Sequence, residues 1–139
     1  MKKYTDPLRV TSTKRFCMPH RMMMVQADIK YGSGLIYTDN GKNKTAYLST
    51  VIDDHSRFIL SSIWFDKQDE GCVREVFRTA ELRYGKFDKS YVDNGKQYVA
   101  KQLKTTLSRL GIKLKHAPVR SGKSKGVIER FHQTVDQFI

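Results

Sequence analysis

The chain has 139 residues, 26 Lys and Arg against 14 Asp and Glu, a formal net charge of +12 and 39% hydrophobic residues. That suffices for one domain with a core, and it excludes a disordered tail or two full domains. The apolar runs are too short to cross a bilayer, the polar opening Met1–Arg9 argues against a signal peptide, and Cys17 and Cys72 are too few for a disulfide scaffold. The expectation is a basic cytoplasmic domain with a polyanionic partner and no membrane.

Residues 1–21 read as a basic arm or linker, with Pro7, Pro19 and no period. Cys17 and His20 make only half of a metal site. Residues 22–139 read as one core domain. Met22–Ile29 predicts a first strand, followed by turn signals at Gly32, Gly34 and Asp39-Asn40-Gly41. Thr45–Ile52 and Arg57–Phe65 predict two more strands, and short turns between the three imply antiparallel pairing. Asp53 and Asp54 fall in one of those turns and read as turn formers.

The period then changes. Val73, Val76, Phe77, Ala80 and Tyr84 predict an amphipathic helix stopped by Gly85. Phe87–Val92 is a fourth strand. Gln97–Leu110 is a second helix with Val99, Leu103, Leu107 and Leu110 inward, and Ile112–His116 is a fifth strand. Pro118–Lys125 reads as a loop. Val127–Ile139 is a third helix with Ile128, Phe131, Val135 and Phe138 on one face and Glu129, His132, Gln133 and Asp136 on the other. The fold class is α/β: a mixed five-stranded sheet, three antiparallel strands then parallel ones, with helices packed on it.

Three carboxylates fall at telling positions. Asp28 ends the first strand, Asp93 ends the fourth, and Glu129 lies on the last helix. Glu129 is also the only acid in residues 96–130, a stretch of net charge +9. Convergent carboxylates repel unless cations neutralise them, and hard divalent cations take oxygen ligands. Two such ions can activate an attacking oxygen and stabilise a leaving one during phosphoryl transfer. Taken singly, Asp93 is also a common turn residue and Glu129 a common solvated helix residue.

Gln26-Ala27-Asp28, Val51 to Arg57 (VIDDHSR), Tyr91-Val92-Asp93-Asn94-Gly95 and Lys125 to Phe131 (KGVIERF), with 35 residues between Asp93 and Glu129, together resemble the catalytic core of the transposase and retroviral-integrase superfamily. The Ser-Gly-Lys-Ser-Lys-Gly stretch is most similar to bacterial insertion-sequence transposases. The resemblance covers roughly residues 22–139 and implies a ribonuclease-H-like fold. It implies two Mg²⁺ or Mn²⁺ ions held by Asp28, Asp93 and Glu129 as the catalytic triad. It implies hydrolytic cutting at a transposon end, then attack of the freed 3′-OH on target DNA, with no covalent enzyme intermediate. It further implies a homodimer or higher oligomer on DNA, a bacterial nucleoid location, and a chain that is part of a longer protein.

Arg120, Lys123, Lys125 and Arg130 are the expected phosphate contacts because they lie beside Glu129. Lys96, His116 and Asn94 are further DNA-binding candidates, Asn94 being equally a turn residue. Two other readings stand beside this one: a ribonuclease-H-like nuclease acting on hybrids or junctions, and a non-catalytic DNA-binding module.

Overall fold

The structure, a computed structural model, describes residues 17–117 and 126–137, with the backbone alone at 33–39. Residues 1–16 of the arm expected over 1–21, and the loop over 118–125, lie outside the described residues. Strands β1 (Met24–Asp39), β2 (Lys42–Asp53) and β3 (Ile59–Phe65) form an antiparallel meander. Helix α1 (Glu70–Tyr84), β4 (Lys89–Val92), α2 (Lys101–Arg109), β5 (Lys113–His116) and α3 (Gly126–Asp136) follow. The sheet order is β3-β2-β1-β4-β5, with β4 parallel to β1 and β5 parallel to β4. The mixed sheet expected from the sequence is the one observed.

The first strand is much longer than its apolar run. It passes through Gly32 and stays paired to β2, with a register shift between Tyr31 and Ile36. A Cβ at Gly32 would stand 2.7 Å from the Ala46 carbonyl oxygen and 3.0 Å from the Trp64 ring. This glycine therefore permits a close approach inside the sheet, where the sequence suggested a turn. The actual turn is Asn40-Gly41, with φ of 51° and 78°, between the paired residues Asp39 and Lys42. Two positive φ values in a two-residue loop suit the right-handed twist of the flanking strands.

Strand alternation divides the side chains between two faces. Val25, Ala27, Val51, Leu60 and Val92 bury one face against Val73, Val76, Phe77 and Ala80 of α1 and Leu103 and Leu107 of α2. Asp69 caps α1 by accepting from the Cys72 N–H at 3.1 Å, and Gly85, at φ 93°, ends it. The opposite face carries Met24 and Tyr91, packed with Ala117 and Met18. Gln26 and Asp28 share it by alternation.

Helix α3 docks on this second face. His132 Nε2 lies 3.4 Å from Thr50 Oγ1, and Lys30 Nζ lies 2.6 Å from Asp136 Oδ1. Ile128 and His132 are the buried residues of α3, so His132 faces the sheet and not the outer side expected from its polarity. The reason is local: this part of the sheet presents Thr50, itself 2.8 Å from Ser62 Oγ, and a buried imidazole needs such a partner. Helix α2 also departs from expectation. It starts at Lys101, after a turn in which Tyr98 N–H donates to the Gly95 carbonyl at 2.9 Å. That turn buries Tyr98 fully and leaves Val99 52% exposed, and Leu110 is 44% exposed.

The turn after β2 is more than a turn. Asp53 and Asp54 are both buried. Asp53 accepts from Met22 N–H (2.8 Å), Ser56 N–H (2.8 Å) and Ser56 Oγ–H (2.6 Å). Asp54 accepts from Met18 N–H (2.7 Å) and from the buried Gln26 amide (2.9 Å). The Arg57 guanidinium lies 3.7 Å from Asp54 and also donates to its backbone carbonyl. The two carboxylates thus lash residues 18–26 to the sheet, just before the strand reaches Asp28.

Candidate active site

Strands β1 and β4 run side by side and in parallel, with Gln26 registered against Tyr91. Two residues further along each strand lie Asp28 and Asp93. Two steps preserve the face, so both acids share the face on which α3 docks. Asp93 lies just past the carboxyl end of β4, where such sheets place ligands, whereas Asp28 lies inside β1 and does not end it as the sequence suggested, because the strand stays paired to β2 as far as Asp39. Both acids are half-buried.

Tyr98 reports on their proximity. Its side chain is fully buried and its hydroxyl has no hydrogen-bond partner among the described residues. Burial raises its pKa well above the ordinary 10.0, and the negative charges of Asp28 and Asp93 raise it further. One phenol therefore feels both carboxylates. The residue enters this position because the turn after β4 bends back under the strand ends. A tyrosine five residues after an aspartate gives no signal of its own in the sequence.

The loop after β4 is tightly held. Asp93 Oδ1 accepts the Gly95 N–H at 2.7 Å, an Asx turn that fixes the carboxylate. A Cβ at Gly95 would lie 2.9 Å from Asp93 Oδ1, so a larger residue would push the carboxylate aside. Asn94 Nδ2 donates to the Ala117 carbonyl at 2.9 Å, and His116 Nε2 lies 3.2 Å from the Tyr98 carbonyl oxygen. Both side chains are thus engaged in joining the loop to the end of β5. Lys96 is exposed on the same loop.

Glu129 is exposed on α3, one turn before the buried His132. Thr50, which His132 touches, is the cross-strand partner of Asp28. The helix bearing the third acid is therefore seated against the strand pair bearing the first. Even so, among the described residues no three His, Cys, Asp or Glu side chains cluster closely enough to hold a metal ion. Strand register sets Asp28 and Asp93 on neighbouring strands, and Glu129 lies on the helix docked over the same face. Arg130 is exposed beside Glu129, while Arg120, Lys123 and Lys125 lie outside the described residues.

Two adjacent carboxylates fit a hard divalent cation by donor type, and they do not fit a soft metal. Paired acids without such a cation would repel each other.

A family model described as an integrase core domain matches residues 19–121, well over half of the chain. Among solved structures, a chain of the simian T-cell lymphotropic virus intasome matches with a TM-score of 0.75 at 16% identity, over 88% of this chain and 41% of that one. The HTLV-2 integrase catalytic core domain, solved with magnesium in a dimeric form, matches at 0.66 and 18% identity, over 84% of this chain and 69% of that one. The catalytic core domain of BIV integrase matches at 0.62 and 17% identity, over 84% and 68%. The chain thus spans less than half of the intasome chain and about two thirds of each core domain. These likenesses carry the fold: a mixed sheet and three helices of the ribonuclease-H-like kind.

Proposed function

We propose that this chain, which belongs to the integrase core domain family, is the catalytic core of a metal-dependent DNA transposase or integrase. The observation that carries this reading is the placement of Asp28, inside β1, beside Asp93, just past the end of the neighbouring parallel strand β4, with both charges acting on the buried Tyr98. A basic surround and a magnesium-bound likeness of the same fold support it.

In this reading Asp28, Asp93 and Glu129 would hold divalent metal, Mg²⁺ or Mn²⁺. When bound, such ions activate an attacking oxygen and stabilise a leaving one. The chain's own residues do the remainder. The Gly95 N–H fixes the Asp93 carboxylate, Asn94 and His116 fix its loop, and His132 seats α3 on Thr50. Arg120, Lys123, Lys125 and Arg130 hold phosphates. Water cleaves a phosphodiester at a transposon end and frees a 3′-OH. That hydroxyl then attacks a target phosphorus as the target's own P–O bond breaks. The assembly is a homodimer or larger on DNA, in the cytoplasm at the nucleoid.

Asp93→Asn tests the reading. The amide oxygen still accepts the Gly95 N–H, so circular dichroism should be unchanged. Mg²⁺- or Mn²⁺-dependent nicking and strand transfer should fall about a thousandfold, the scale of several kcal/mol of lost charge stabilisation. Activity retained in this variant would sink the assignment. Cutting of RNA–DNA hybrids in preference to transposon-end DNA would replace it with the ribonuclease reading.

A further inference from the structure

A second basic feature lies on the β5 edge of the sheet. Lys89, Lys104, Lys113 and Lys115 line a single groove of about 640 Å³ between the strand edge and α2. No acidic residue lines it. Among the described residues none of the four lysines makes an ion pair, whereas Lys30, Lys44 and Lys67 each do.

The placement of the charges is specific. Lys89 and Lys113 are register partners across the β4–β5 pair, and Lys115 pairs with Tyr91. Alternation puts Lys89, Lys113 and Lys115 on the face that carries Asp93, opposite the one on which α2 packs, so Lys104 flanks the edge from the other side. Like charges directly opposite one another across strands are unfavourable unless an anion lies between them. Lys89 precedes Asp93 by four residues, about 13 Å at strand rise. The groove therefore begins below the carboxylates and runs along the sheet edge away from them.

We propose that this lysine groove binds the phosphate backbone of duplex DNA, as a second contact surface apart from the carboxylates and from Arg120, Lys123, Lys125 and Arg130. The proposal rests on DNA being the substrate, as read above. Lysines flanking one sheet edge with no acid among them offer several cations to a row of phosphates, and such contacts hold the duplex in register without reading its sequence.

Lysines also guard free strand edges against pairing with other chains, so the test must separate the two roles. The 139-residue chain and its Lys104→Gln/Lys113→Gln/Lys115→Gln variant are titrated with random-sequence duplex, read by fluorescence anisotropy between about 50 and 200 mM salt. Each phosphate contact contributes about 0.9 to the slope of log affinity against log salt, so the variant slope should be shallower by about 2–3. If the triple variant fails to fold, Lys104→Gln and Lys113→Gln singly should each remove about 0.9. A folded variant with the wild-type slope overturns the groove, and self-association of that variant in light scattering would assign the lysines to edge protection. Wild-type protein that binds no duplex overturns it as well. Metal-dependent nicking by the wild type, measured alongside, keeps the readings distinct. Nicking with an unchanged slope removes the groove alone, and a lysine-dependent slope without nicking removes the active-site reading alone.

Discussion

Replacing Asp53 by alanine should be among the costliest single changes to stability in this chain. The carboxylate is 1% exposed and accepts three hydrogen bonds of 2.6 to 2.8 Å. One comes from Met22 N–H, and Met22 is held at φ 64°, a left-handed conformation that a methionine enters only under constraint. The Asp53 backbone meanwhile accepts from Arg57 N–H at 2.9 Å, and Arg57 is also left-handed, at φ 66°. Hydrogen bonds to charged groups contribute about 1.5–3 kcal/mol each, but Ser56 is exposed and water can replace its two. A loss near 3 kcal/mol follows, most of it from the half-buried Met22 N–H left without an acceptor. For a domain of this size that is a fall in Tm of about 10 °C. Urea unfolding followed by circular dichroism measures it. Ser56→Ala removes only one hydroxyl contact and should cost about 1 kcal/mol. A loss below about 1 kcal/mol for Asp53→Ala would refute the view that this carboxylate ties residues 18–26 to the sheet.

Alkaline stability should report on Tyr98. Its pKa is raised by burial first and then by Asp28 and Asp93, so the folded protein keeps a proton that the unfolded chain releases near pH 10. The stabilisation is complete below about pH 10 and is lost as pH rises through the folded-state value, at up to about 1.36 kcal/mol per pH unit. Tyr98→Phe should flatten that decline by one proton, and equal slopes in denaturant titrations from pH 9 to 11 would contradict it. Gly32→Ala should cost about 1–3 kcal/mol, because its Cβ would press on the Ala46 carbonyl at 2.7 Å. A thermal melt matching that of the unsubstituted chain would show that β1 and β2 have room to separate there.

Much of this molecule is written in local patterns. Alternation over Thr45–Ile52 and the 3–4 residue steps from Val73 to Ala80 mark β2 and α1 because one face of each must leave water. Asn40-Gly41 marks its own turn through the positive φ that both residues tolerate. Asp28 and Asp93 stand out as acids that close apolar runs, and that too is a local signal, although β1 continues past Asp28 to Asp39. Their adjacency needed only the inference that the strands are parallel neighbours.

The rest required atoms from distant parts of the chain. Gly32 looks like a turn until the Ala46 carbonyl lies against it. His132 looks like a solvated helix residue until Thr50 and Ser62 supply a polar seat. Asp53 and Asp54 look like turn formers until the backbone of Met18 and Met22 donates to them from more than thirty residues away. Tyr98 is recognisable as a neighbour of both carboxylates only once the loop after β4 has folded under the strand ends. The sequence by itself determined the element types and the two acids that close apolar runs, because hydrophobic period and strand polarity are properties of neighbouring residues. Tertiary structure alone decided which polar side chains are buried, since burial of a polar group depends on partners that the chain brings from afar.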